Sequence, residues 1–217
     1  NQGRISLRAI IQTRQLEKVF VFDTDKDQAT RFAKEMREQM KISVTAVDDF
    51  RIAVRQSDIC VTCTTSTKSF LGSADVLPGT FIAAVGADSE HKQELCPELL
   101  VSSKLVTDLT EQCATIGELH HALEANLLTI DSVHAELGEV IAGKKPGRAC
   151  DDETIIFDST GTALQDVAAA AIVYEKAIAN HIGIKLNFSE VKANSKSETI
   201  KKNQKDIKTL QSWYPFK

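Results

Sequence analysis

A chain of 217 residues with 42% hydrophobic and 26% charged residues has the balance of a globular protein and enough length for one domain, or one and a half. Its net charge of -4 gives no electrostatic reason to expect nucleic acid as a partner. No apolar run reaches the roughly 18 residues of a membrane span, and the polar start Asn1-Gln2-Gly3-Arg4 does not read as a signal peptide; a cytoplasmic, reducing setting is the expectation.

In chain order, Ile5, Leu7, Ile10 and Ile11 are spaced for an amphipathic helix over 5–14. A strand follows at 18–23 and ends in an acid, Asp23. Asp25 is placed to cap a helix over 28–40, with Ala29, Phe32, Ala33 and Met36 on one face. A strand at 42–47, a short helix at 48–55 and a strand at 57–63 come next, opening into a Thr/Ser-rich loop at 64–69. The short apolar run 81–85 reads as a strand buried on both faces. Beyond it the pattern predicts helices at 94–103, 117–123 and 135–142, strands at 105–108 and 154–157, and a long helix at 162–180. That last helix is apolar around most of its girth, so burial against a partner element is expected. Short alternating strands and helices predict an α/β, Rossmann-like, doubly wound parallel sheet.

The domain reading has three parts: an NAD(P)-binding Rossmann-like domain over 1–161, incomplete at its start; a long buried helix and return segment over 162–188; and a Lys-rich tail over 189–217.

In such a sheet the ligand crevice lies beyond the carboxyl ends of the strands. Gly86 stops the central strand there, and Asp88 and Lys92 follow at once, so a carboxylate and a cation are presented where chemistry would occur. Gly3, about twenty residues of helix and strand, and then Asp23 match the second half of a dinucleotide fingerprint; the glycine turn and first strand of the first half are not in this sequence. A carboxylate at Asp23 repels a 2′-phosphate, which favours NAD over NADP. With nicotinamide held at this edge, Asp88 could take the proton of a substrate ammonium and later activate water against an imine. Ser159, at a strand end before a helix, could hydrogen-bond the cofactor, and Thr62 and Thr64 would line the same edge. The five cysteines have no framework spacing, and Cys60-x-x-Cys63 lies in a strand whose alternation sends the two thiols to opposite faces. His120 and His121 are adjacent and diverge on a helix, so no metal site is read.

Several segments in order, Asn1-Gln-Gly, Val19-Phe-Val-Phe-Asp23, Ser57 to Ser66, Ala84-Val-Gly-Ala-Asp88 with Lys92-Gln-Glu-Leu95, Gly117-Glu-Leu119, Glu136 to Arg148 and Phe157-Asp-Ser-Thr-Gly161, resemble the ornithine cyclodeaminase/mu-crystallin family as far as about Phe188. The resemblance implies an NAD(P)-dependent enzyme of amino-acid Cα–N chemistry, such as an ornithine or lysine cyclodeaminase, an alanine dehydrogenase or a ketimine reductase, commonly a homodimer. It implies Asp88 as the general acid/base. It implies Asn1, Gln2, Asp23, Thr62, Ile82, Ala83, Ala84, Val85, Lys92 and Ser159 as cofactor contacts, and Thr160 as a contact to a small amino-acid or imine substrate. Mu-crystallin-like members lack an aspartate at the position of Asp88, which places this sequence nearer the cyclodeaminases and alanine dehydrogenases. Family members carry an additional amino-terminal segment with most substrate ligands, so an amino-terminally truncated member is expected. The competing expectation is a catalytically inactive nucleotide-binding or crystallin-like structural protein.

Overall fold

The computed structural model describes residues 1–184; the Lys-rich tail expected over 189–217 lies outside the described residues. The chain divides into two units, Asn1–Thr162 and a second that starts at Ala163.

The first unit opens with α1 (Gln2–Ile10), β1 (Lys18–Val21), α2 (Lys26–Met40) and β2 (Ser43–Ala46). Asp25 caps α2 as its sequence position predicts, its carboxylate accepting the N–H groups of Asp27 and Gln28. The helix ends at Lys41, which adopts a left-handed conformation, φ 57°. Leu7, Ala33, Met36 and Val44 form a small core, with Ile11, Val19, Val21 and Phe32 packed around it.

After α3 (Phe50–Val54), the chain runs through β3 (Ile59–Thr62), β4 (Thr67–Leu71), β5 (Phe81–Ala84), β6 (Gln93–Leu95), α4 (Pro97–Val101) and β7 (Lys104–Thr107). It continues with α5 (Thr110–Ile116), α6 (Glu118–Glu124), β8 (Ala135–Glu136), α7 (Leu137–Ile141) and β9 (Ile155–Asp158). Five of these strands form a parallel sheet in the order β3-β5-β9-β7-β8, while β4 pairs in parallel with β6 apart from it. The larger core, including Leu71, Ile82, Leu95, Leu105, Leu119 and Ile156, belongs to this part.

The described strands form three separate sheets. Strands β1 and β2 pair only with each other among the described strands, and β3 pairs only with β5. The open edges of β1 and β3 both line a groove of about 770 Å³, together with Asn1, Gln2, Gly3 and Asp23. Among the described residues no strand lies between them. Across this region, Phe22, Phe50 and Phe70 form an aromatic ladder with centroid separations of 5.4 and 5.5 Å.

Three local expectations also change. The loop at 64–69 gives way to β4, and residues 94–95, expected in a helix, belong to β6, because their N–H groups bond to a side chain rather than along a helix. Strand β5 is fully buried at Ile82 and Ala84 but only partly at Phe81 and Ala83, so one of its faces is less covered than its apolar run suggests.

In the second unit, α8 (Ala163–Ala179) is helical as expected, favoured by the alanine run at 168–171. The expectation that it is buried is corrected: none of its described side chains is buried, and Leu164, Val167, Val173 and Tyr174 are exposed. No helix among the described residues is long and apolar enough to cross a membrane.

Candidate functional site

Because the five strands are parallel, their carboxyl ends share one edge. Register places Thr62, Ala84, Asp158, Thr107 and Glu136 side by side along it, on β3, β5, β9, β7 and β8 in turn. The residues just beyond these ends form the candidate site. The N–H of Ser159 donates to the carbonyl of Ala84 at 3.0 Å, so the loop after β9 lies directly against the end of β5.

Asp88 and Lys92 sit on the loop leaving β5 and form an ion pair at 2.5 Å. Asp88 is half exposed, with 52% of its side chain open to solvent, and Lys92 less so at 26%. An exposed pair of this kind is worth about 0–1 kcal/mol, so it adds little to stability. Its placement is more informative than its energy. The backbone carbonyl of Lys92 is also held, by a ring nitrogen of His121 at 2.8 Å.

Thr62 is buried, and its hydroxyl oxygen has no hydrogen-bond partner among the described residues. A buried hydroxyl without a partner costs roughly 1–3 kcal/mol, and at a strand's carboxyl end it fits a polar ligand group. Ile82 and Ala84 are buried within β5, Ala83 and Val85 partly so. Ser159 and Thr160 are partly buried, and their hydroxyls point to a common acceptor, Asp108, at 3.0 and 3.4 Å. Asn1, Gln2 and Asp23 lie elsewhere, along the groove beside β1, where Asn1 precedes α1 and Asp23 accepts the N–H of Asp25. The groove also reaches Cys63, just beyond Thr62. A Cβ on Gly3 would lie 3.5 Å from its sulfur, so the start of α1 reaches the end of β3. The predicted residues therefore divide into a groove set and an edge set that meet at 62–63.

Sequence reading missed a group of acids. Asp108, just beyond β7, holds the loop after β9 through Ser159, Thr160 and the N–H of Gly161 at 2.8 Å. Gln112 adds bonds to the Thr160 hydroxyl at 2.8 Å and the Gly161 carbonyl at 2.6 Å. The signal was present, since Asp108 ends a strand as Asp23 does. Three further carboxylates, Glu94, Glu118 and Asp158, are almost wholly buried. Asp158 accepts the N–H groups of Glu118 and Leu119 at 3.2 and 2.9 Å. Burial pushes its carboxyl up to about 7 and that of Glu118 up to about 8, against the opposing pull of backbone N–H donors at each.

Burial pushes Cys60 up to about 12 and raises Cys63 and Cys113 as well, so each is held as a thiol. His120 and His121 do not diverge as expected, because their rings meet edge-on with centroids 5.1 Å apart. With Glu124 they bring ligand atoms within 4.8 Å of one another, although one nitrogen of each ring already bonds to a backbone carbonyl. A second cavity, about 460 Å³, lies at the opposite end of the sheet around Lys104, Glu153 and Thr154, away from all the residues above.

The chain is 37% identical over 191 residues to an alanine dehydrogenase of Archaeoglobus fulgidus, covering 88% of this chain and 58% of that one. Among solved structures it resembles an archaeal alanine dehydrogenase dimer with bound NAD, with TM-score 0.82, 39% identity, and coverage of 86% of this chain and 57% of the other. It also resembles the Delta(1)-pyrroline-2-carboxylate reductase of Thermococcus litoralis in complex with NADH and L-proline, with TM-score 0.83, 32% identity, and coverage of 85% and 58%. The chain thus spans a little under three-fifths of the length of these relatives. Residues 1–181 match one family throughout, and the chain belongs to the ornithine cyclodeaminase/mu-crystallin family.

Proposed function

We propose that this chain carries the dinucleotide-binding and proton-transfer half of an NAD-dependent oxidoreductase or cyclodeaminase acting at the Cα–N bond of a small amino acid or the corresponding imine. The observation that carries the reading is the placement of the Asp88–Lys92 pair on the loop leaving β5, whose end is bonded to Ser159 and whose neighbouring strand ends at the buried hydroxyl of Thr62, without a partner among the described residues. The relatives with bound NAD or NADH support the cofactor.

Asn1, Gln2 and Asp23 would hold the nucleotide along the groove, with the start of α1 facing phosphate and Asp23 facing the ribose hydroxyls. Asp23 would also disfavour a 2′-phosphate, so NAD is preferred to NADP. Thr62, the main chain of 82–85, Lys92 and Ser159 would seat the nicotinamide end, and Thr160 would touch substrate. Bound cofactor supplies the hydride acceptor. Asp88 removes a proton from the substrate ammonium, which frees the nitrogen lone pair. It can then return that proton, or draw one from a water that attacks the substrate imine. Its half-exposed carboxylate can exchange protons with solvent between these steps. The archaeal dimer supports association of two copies.

The test is an NADH titration followed by cofactor fluorescence, with NADPH, Asp23→Ala and Asp88→Asn alongside. Saturable binding that prefers NADH, weakens about tenfold in Asp23→Ala and persists in Asp88→Asn is expected, with loss of amino-acid turnover confined to the last variant. A folded chain that binds neither nucleotide refutes the reading. Binding without turnover of any amino acid, in an assembly containing the rest of the family's length, would favour the inactive nucleotide-binding alternative.

A further inference from the structure

We infer that Glu94 is a positioning residue that fixes both loops of the candidate cofactor edge, and that Glu118 and Asp158 hold it in place. Buried acids usually pair with a cation or a metal, but these three instead take backbone N–H groups in series. One oxygen of Glu94 accepts the N–H of Thr64, just beyond β3, at 2.5 Å, and the other accepts the N–H of Gly86, just beyond β5, at 3.2 Å. One carboxylate therefore sets the spacing of the two strand ends that carry Thr62 and Val85.

Glu94 also closes the loop that bears the proposed chemistry. Residues 86 and 94 are its two ends, and Asp88 and Lys92 each lie two residues inside it. Tying Gly86 to the Glu94 side chain makes the segment a closed ring, within which the N–H of Lys92 donates to the carbonyl of Ser89 at 3.0 Å. The main chain of Glu94 is fixed in turn, because Glu118 accepts the N–H groups of Glu94 and Leu95 at 2.8 and 3.0 Å. The first N–H groups of α6, those of Glu118 and Leu119, end on Asp158 of β9. The path runs from β9 through α6 and β6 to the ends of β3 and β5.

Two glycines fit this path. A Cβ on Gly86 would lie 2.5 Å from the Glu94 carboxylate, and one on Gly117 would lie 2.7 Å from that of Asp158. Neither position has a left-handed backbone, so each glycine is required by the closeness of a carboxylate and not by φ.

The inference rests on the cofactor reading above for its functional half, and the test separates the two. Amide exchange resolved by residue and NADH affinity are measured on the full chain, on Glu94→Gln and on Gly86→Ala, whose added methyl displaces the carboxylate while leaving Glu94 itself unaltered. In the unaltered chain the amides of Thr64 and Gly86 exchange slowly. In Glu94→Gln, which can accept only one of the two bonds well, at least one of them exchanges about tenfold faster, while Leu105 and Val106 in β7 keep their rates; NADH affinity falls about tenfold. A purely structural role would accelerate all these amides together. Rapid exchange of both amides in the unaltered chain, unchanged exchange in a folded variant, or general acceleration across β7 overturns the inference. So does faster local exchange with undiminished NADH affinity. If the unaltered chain binds no NADH, the cofactor reading fails, and the exchange rates still decide whether Glu94 sets the two loops.

Discussion

Gly117→Ala is the sharpest steric perturbation the first unit offers. Gly117 lies between α5 and α6 with φ -96°, a conformation alanine adopts freely, so any cost comes from space alone. The added Cβ would sit 2.7 and 2.9 Å from the two Asp158 oxygens and 3.0 Å from the Cα of Cys113. Backbone cannot yield on the Cys113 side, so the carboxylate must move and its bonds to the N–H groups of Glu118 and Leu119 must lengthen. Overpacking costs about 1–3 kcal/mol, and a weakened hydrogen bond adds about 1 kcal/mol. A destabilisation of roughly 3 kcal/mol is expected, which at a slope near 2 kcal/mol/M lowers the urea midpoint by about 1.5 M. The measurement is urea unfolding followed by far-UV circular dichroism, with Gly138→Ala as control. Gly138 lies in α7, and a Cβ added there would meet nothing within 4 Å, so that variant gains up to about 1 kcal/mol of helix propensity. A Gly117→Ala midpoint within the error of the parent would refute the account of Asp158 as a tightly enclosed acceptor.

Two more outcomes are expected. Glu118 and Asp158 have folded values of about 8 and about 7, above their ordinary ones, so the folded chain binds these protons more tightly than the unfolded chain. Their contribution is fully present below about pH 4 and is lost as pH rises through 7 to 8, on the order of several kcal/mol for the coupled pair. Urea midpoints should therefore fall from pH 5 to pH 8 and flatten in Glu118→Gln; a rise over that window would contradict the burial of these acids. Asp25→Ala removes the side-chain acceptor of two N–H groups at the start of α2 and should cost about 1 kcal/mol, read as a lower midpoint for the part of the chain containing Met36; an unchanged midpoint would mean that solvent serves those groups equally well.

The parallel sheet, the cap at Asp25 and the Asp88–Lys92 pair were legible because each has a local signature: apolar runs of strand length, an acid ahead of a helical period, and opposite charges four apart. Strands β4 and β6 were not. Thr67-Lys-Ser reads as polar loop, and Gln93-Glu94-Leu95 is three residues long, stabilised by a carboxylate more than twenty positions away. Glu94 and Glu118 were passed over because an acid in sequence reads as surface, and only the convergence of distant N–H groups makes burial tolerable. The division of the site into a groove set and an edge set was equally hidden, since it depends on where β1 and β3 stand apart.

That separation has a consequence for how the chain comes apart. Residues 2–46 build their own core around Met36, and the main chain leaves it once, between β2 and α3, for the larger core around Ile82. With no strand pairing across the groove among the described residues, the contacts that join the two include the aromatic ladder and the approach of Gly3 to Cys63. The smaller core can therefore melt first, as a sub-global opening with its own temperature. Once it does, the side of β3 that has no strand neighbour among the described residues faces other molecules as an unprotected sheet edge, and self-association in the early part of a melt would begin there.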